Sequence, residues 1–177
     1  MEKNIVCLNY PLFFSHNLRG QEDILLLCNL SFKKIFSMSH KAGYVNIIGK
    51  PNVGKSTLMN EFVGEKISIV TSKAQTTRHR ILGIVNGDEF QIVFSDTPGI
   101  IKNPAYKMHE VMNQFVNVAF IDADLILYVV DITDKKIDEK TVERLQKIND
   151  IPIFVLLNKI DLSDQEGVTS AVNFWQN

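Results

Sequence analysis

Residues 49–56 read Gly49-Lys50-Pro51-Asn52-Val53-Gly54-Lys55-Ser56, and their surroundings restrict the fold more than any other stretch of the chain. Tyr44-Val45-Asn46-Ile47-Ile48 before them is short, largely apolar and β-branched, the pattern of a strand buried on both faces. After them Leu58, Met59, Phe62 and Val63 recur at spacings of three and four, which predicts a helix from about Lys55. A glycine-rich loop held between a buried strand and a helix N-terminus is a phosphate-binding context; without that context the same octapeptide reads as an ordinary glycine turn. Gly49 and Gly54 let successive backbone N–H groups turn toward phosphate oxygens, and the helix adds its positive end. Lys55 can then reach the β- and γ-phosphates, and the Ser56 hydroxyl suits Mg²⁺.

The chain beyond this loop alternates strands and helices. Ile81–Val85 and Phe90–Phe94 flank the turn signal Asn86-Gly87-Asp88, so they should pair antiparallel. Leu125–Val130 and Ile153–Leu157 are continuous apolar strands that end at Asp131 and Asn158, and helices are expected at about 106–120 and 138–148. The predicted fold is α/β: a three-layer α/β/α P-loop NTPase architecture with a mostly parallel sheet and one antiparallel strand. Ligands in such sheets bind at the carboxyl ends of the strands.

Composition limits the alternatives. Hydrophobic residues make up 45% and charged residues 22% of the 177, which excludes a wholly disordered chain. A net charge of −1 gives no global attraction to a polyanion, so any such ligand needs a local site. Cys7 and Cys28 lack metal-ligand spacing and fit free thiols in a reducing compartment. No apolar run is long enough to span a bilayer, and Ile24–Leu30 follows acidic rather than basic residues, unlike a signal peptide. Residues 1–37 lack a sustained period. They are expected to stand apart from the domain, either as a genuine extension or as sequence upstream of a natural start at Met38, with the domain itself over 42–177.

Two further motifs follow strands. Asp96-Thr97-Pro98-Gly99 offers a carboxylate able to hold a metal ion through water, and a Gly99 N–H able to sense a γ-phosphate. Asn158-Lys159-Ile160-Asp161 offers a base reader: a carboxylate at Asp161 can accept from guanine N1–H and its 2-amino group, donors that adenine does not present in that geometry. Asn158 can brace the phosphate loop, and the Lys159 stem can cover the base plane. Each tetrapeptide alone reads as a turn. Met108 and Met112 suit a packed helix face, while Phe174 and Trp175 suit a core cover or a contact with a further segment.

Together these motifs resemble the translation-factor-related P-loop GTPases, and most closely the Era family. The resemblance rests on the run from Gly49 through Thr57-Leu58-Met59-Asn60 and on Lys73-Ala74-Gln75-Thr76-Thr77-Arg78-His79-Arg80-Ile81. It implies a GTP-binding and GTP-hydrolysing switch that works in small-subunit (16S rRNA) maturation, in the cytoplasm and peripherally at the inner membrane. It further implies that Gln75, Thr76, Thr77, Arg78 and His79 form a nucleotide-facing first switch. Thr77, or alternatively Thr76, would close on Mg²⁺ in the GTP state, and 100–106 would rearrange on hydrolysis. Asn52 would hold a K⁺ ion.

No general base is assigned; Thr77 and Gly99 are switch contacts. The residue after Gly99 is Ile100, where Ras-like enzymes carry the glutamine that orients water. The resemblance implies that members of the family continue into a Ser-Ala strand and an RNA-binding KH domain, neither of which is expected within these 177 residues; Ser170-Ala171 has the letters but falls in a predicted helix. The sheet is therefore expected to be incomplete at its C-terminal edge, and rRNA binding by this chain alone to be poor. The alternative is a fragment that binds nucleotide weakly or not at all.

Overall fold

The computed structural model describes residues 5–10, 15–18, 40–71, 73, 75–101, 105–134 and 138–176. Its strands are β1 (Ile5–Tyr10), β2 (Ser15–Leu18), β3 (Lys41–Gly49), β4 (Ile81–Asn86), β5 (Phe90–Asp96), β6 (Leu125–Asp131) and β7 (Ile153–Asn158). The helices are α1 (Lys55–Val63), α2 (Lys107–Ile121), α3 (Glu139–Gln146) and α4 (Gln165–Gln176), with a short 3₁₀ turn at Ile160–Leu162.

One sheet runs in the order β2-β1-β7-β6-β3-β5-β4. The apolar strands β3, β5, β6 and β7 pair parallel, and β4 returns antiparallel beside β5, as the turn signal requires. Helices cover both faces, because strands buried on both sides need two apolar layers. On one face Leu58, Met59 and Phe62 of α1 pack over Val45, Ile47 and Phe94, with the Phe62 and Phe94 rings 5.1 Å apart. On the other, Val116 and Phe120 of α2, Leu145 of α3 and Val172 and Trp175 of α4 pack over Ile48, Ile126, Tyr128 and Val155.

The observed sheet departs from expectation at its edge. Five strands from 41–158 form the expected array, but β1 pairs antiparallel with β7, in a register that sets Val6 opposite Leu157 and Tyr10 opposite Ile153, and β2 pairs with β1. Two stretches of the segment expected to stand apart thus enter the sheet, and β7 is not an open edge. Ladder bonds involve backbone groups, so a strand can satisfy an edge without the alternating pattern that would make it legible. Met38, Cys28 and Ile24–Leu30 lie outside the described residues. Ser170-Ala171 sits in α4, with Ala171 against the core, as its helical reading requires. Of the two methionines, Met112 is buried and Met108 is exposed; Trp175 meets Tyr128 edge-on, while Phe174 is half exposed.

Candidate functional site

The carboxyl ends of β3, β5, β6 and β7 lie at one end of the sheet, and the loops leaving them converge. Gly54 forms the N-cap of α1 in a left-handed conformation (φ 103°), which favours glycine, and a Cβ there would lie 2.2 Å from the Asn158 amide nitrogen. No side chain caps α1 and its first turn holds no acidic residue, so its free N–H groups are left for an anion.

Lys55 is buried, and its Nζ donates to the carbonyls of Gly49 (3.2 Å) and Lys50 (2.8 Å). Burial lowers its pKa to about 8, against the opposing pull of Asp96. Asn158 Nδ2 donates to Val53 O at 2.7 Å, so the residue after β7 braces the phosphate loop. Gly99 lies so close to that loop that a Cβ would meet Pro51 Cα at 2.6 Å, and Ile100 N donates to Gly49 O at 3.1 Å.

Three oxygen-bearing side chains meet beside Lys55. Ser56 Oγ donates to Asp96 Oδ2 at 2.6 Å; Thr77 Oγ1 lies 3.1 Å from Ser56 Oγ and 3.3 Å from Asp96 Oδ2. Burial raises the Asp96 carboxyl, opposed by the Ser56 hydrogen bond and the Lys55 charge. Among the described residues Asp96 Oδ1, like Ser68 Oγ, is buried without a well-formed hydrogen bond, and the Ser68 hydroxyl also helps hold the carboxyl down. An orphan carboxylate oxygen next to two hydroxyls fits a hydrated divalent cation, whose ligand set is oxygen.

These groups surround an open cavity of about 380 Å³. Pro51, Asn52, Gly54, Lys55, Ser56 and Thr57 form one wall; Lys73, Gln75, Thr76 and Thr77 form another; Thr97, Gly99 and Lys159 close it. Not every residue of the motifs faces this space. Thr97 lines it, but its Oγ1 is committed to Ile47 O (2.8 Å), and Pro98 is buried outside the lining. Gly49 and Val53 are buried beneath the loop, and Ile160 packs on the core. Arg78 is exposed, and the His79 ring meets Phe115 of α2 edge-on at 5.7 Å. Asp161 is exposed within the 3₁₀ turn and is not among the residues of the cavity wall.

The family model for 50S ribosome-binding GTPases matches residues 44–159. Among relatives, the chloroplastic GTPase ERA1 of Zea mays is 46% identical over 141 residues, 78% of this chain and 34% of that protein. GTPase Era of Clostridioides difficile (strain 630) is 51% identical over 129 residues, 71% of this chain and 42% of that one. A crystal structure of Era in complex with MgGDPNP and nucleotides 1506–1542 of 16S ribosomal RNA superposes with a TM-score of 0.71 at 39% identity, over 77% of this chain and 47% of that chain. The chain belongs to the Era-type GTPases. It spans between a third and a half of the length of these relatives.

Several contacts of this Era-type site left no motif. Lys159 Nζ lies 2.5 Å from Asp131 Oδ2, and Lys50 Nζ lies 2.5 Å from Asp134 Oδ2. His109 of α2 meets Gln75 Oε1 through Nε2 at 3.1 Å. Arg80, at the end of the first switch, reaches Asp122, Ser95 Oγ and Asn46 Oδ1. The buried Asn46 in turn donates to Ala119 O at 2.6 Å. A polar residue inside an apolar strand was the available signal for this last network, since a buried amide demands partners. Among the described residues no cluster of three or more His, Cys, Asp or Glu could hold a metal by itself.

Proposed function

We propose that this chain is the nucleotide-binding module of an Era-type switch, binding GTP with Mg²⁺ and hydrolysing it to GDP and phosphate. The observation that carries the reading is that Lys55, Ser56 and Thr77 line one cavity while Asp96 and Asn158, behind that wall, hold Ser56, Thr77 and the phosphate loop in place. In this reading Lys55 and the α1 N-terminus hold the phosphates, and Asp161 reads guanine. Ser56 and Thr77 would hold Mg²⁺ directly and Asp96 through water. When bound, the ion neutralises charge developing on the phosphate oxygens.

Ile100 packs against the core and its N–H is committed to Gly49, so no side chain at that position orients the attacking water. Slow turnover follows, on the order of the 10⁻⁴ s⁻¹ of unassisted Ras-like enzymes, with K⁺ held through Asn52 as an accelerator. In the full-length protein the switch acts on 16S rRNA and the small ribosomal subunit; the likeness to an Era bound to 16S rRNA supports this. The net charge of −1 argues that this chain alone binds that RNA poorly. The reading extends to a cytoplasmic protein, peripheral at the inner membrane, and rests there on the family resemblance alone; among the described residues no helix is long and apolar enough to cross a membrane.

Calorimetric titration of the chain with GDP and GTP in Mg²⁺ tests the reading, with micromolar affinity expected. No binding at millimolar nucleotide would instead favour the fragment that binds weakly or not at all. Asp161→Asn should shift preference toward xanthine nucleotides. Replacing K⁺ by Na⁺ should slow hydrolysis, and Asn52→Asp should remove that difference; no response to either change sinks the K⁺ role.

A further inference from the structure

We propose that Asp131 is a positioning residue for the base end of the nucleotide: by holding the Lys159 ammonium away from the cavity, it makes the aliphatic stem of Lys159 the surface that a planar base meets. The inference rests on the nucleotide-binding reading above and deepens it.

The pairing follows from the sheet. β6 and β7 run parallel in a register that sets Asp131 opposite Asn158, so the last side chain of β6 stands beside the loop that begins at Lys159. Lys159 lines the cavity and adopts a left-handed backbone conformation (φ 61°), uncommon for a long side chain. Its Nζ lies 2.5 Å from Asp131 Oδ2. The carboxylate is itself fixed, because Asp131 Oδ1 accepts from Thr133 N (2.9 Å) and Thr133 Oγ1 (2.7 Å). Asp134 N donates to Asp131 O at 3.0 Å and closes the turn, and Asp134 Oδ2 lies 2.5 Å from Lys50 Nζ. The turn that orients Lys159 is therefore tied to the phosphate loop as well.

A lysine has a charged head on an apolar stem, and which part faces a ligand depends on where the head is held. With the head on Asp131, the stem presents an apolar surface suited to the face of a purine. Freed from Asp131, the four-carbon chain has several rotamers open to it, and the base meets a mobile cation instead.

Asp131→Asn preserves the size of the side chain and an acceptor for Thr133 while removing the charge that holds Lys159. Titration of the full chain with GDP should give a Kd about tenfold higher for Asp131→Asn, and about threefold higher for Thr133→Val, which loosens the carboxylate without removing it. The Kd for inorganic tripolyphosphate, which has no base, should stay within twofold. In a Lys159→Met background, which keeps an apolar stem without the charge, adding Asp131→Asn should change the GDP Kd by less than twofold. Unchanged GDP affinity in Asp131→Asn overturns the proposal. So does an equal loss for tripolyphosphate, or a loss that persists beside Lys159→Met. Failure of the unmodified chain to bind GDP at all removes the nucleotide reading itself, a different result from a variant that matches it.

Discussion

The wall of the cavity built from the 49–56 loop and the wall built by Ile69, Val70, Thr71, Lys73, Gln75, Thr76 and Thr77 are secured in opposite ways. The first is held from beneath: Lys55 binds two loop carbonyls, Asn158 takes Val53 O, and Gly99 packs on Pro51. The second has little under it. Ile69 and Val70 are 68% and 54% exposed, and Thr71, Lys73 and Thr76 bond mainly to one another at the surface. Its ties to the rest of the molecule include Thr77 to Ser56 and Asp96, and Gln75 to His109. Segments with few buried contacts open at low free-energy cost. The switch proposed above needs this division, since one wall must keep the phosphates in place while the other responds to the loss of one.

The largest effect should come from damaging the fixed wall. Gly54→Ala places a Cβ 2.2 Å from Asn158 Nδ2 at a residue with φ 103°, so both the backbone and the brace must give way. Urea unfolding without nucleotide should show a loss of about 2–4 kcal/mol, and nucleotide affinity should fall with it. Next in size, Asn158→Ala leaves Val53 O without its amide donor and should lower stability by about 1–2 kcal/mol. A Gly54→Ala protein as stable as the unmodified chain would break the claim that this wall is fixed by packing.

The responsive wall should behave differently. Thr77→Ala removes an exchangeable hydroxyl contact, so stability should stay within about 0.5 kcal/mol. GDP affinity should remain within about twofold, while Mg²⁺-dependent GTP hydrolysis drops at least tenfold. Chelating Mg²⁺ from the unmodified protein should reproduce that loss. A Thr77→Ala protein that hydrolyses GTP normally would transfer the role to Thr76, whose hydroxyl here lies 2.7 Å from Thr71 Oγ1 rather than in the triad.

The same contrast explains what could be read in advance. The fixed wall is written in consecutive residues, because a loop between a buried strand and a helix needs particular types at particular positions, and Gly49 to Ser56 supply them. The parallel core was legible from apolar runs such as Leu125–Val130, and the β4–β5 pair from its turn. Contacts across distant sequence were not. Asp131 and Lys159 are brought together by strand register, as are Arg80, Asn46 and Asp122 by packing of α2 on the sheet. Nor was β1, whose partner β7 lies far along the chain and asks of it only backbone groups.

His109 ties the second wall to α2. Ala105 N donates to His109 Nδ1 at 3.2 Å, which leaves Nε2 as the N–H that donates to Gln75 Oε1. His109→Ala should lower global stability by no more than about 1 kcal/mol, since one exposed and one part-buried neutral hydrogen bond contribute little. It should nevertheless speed amide hydrogen exchange across 69–77 several-fold, leaving 49–56 unchanged. Equal exchange in both segments of the unmodified protein would erase the distinction between the walls.

The smallest effect concerns the Asp131–Lys159 pair as a source of stability rather than of binding. Burial alone would push the Asp131 carboxyl up, but hydrogen bonds from Lys159 and Thr133 outweigh it and hold the group below the ordinary aspartate value. A carboxyl with a depressed pKa in the folded state contributes stability that is present above its unfolded value and lost as pH falls through the folded one. The nucleotide-free chain should therefore exceed Asp131→Asn in stability at neutral pH, by less than about 1 kcal/mol because the Lys159 end of the pair meets solvent. The gap should close as pH drops below about 4. A gap that persists unchanged to pH 3 would mean that the amide in Asp131→Asn perturbs the turn by shape, not by charge, and urea midpoints of the two proteins across that range decide between them.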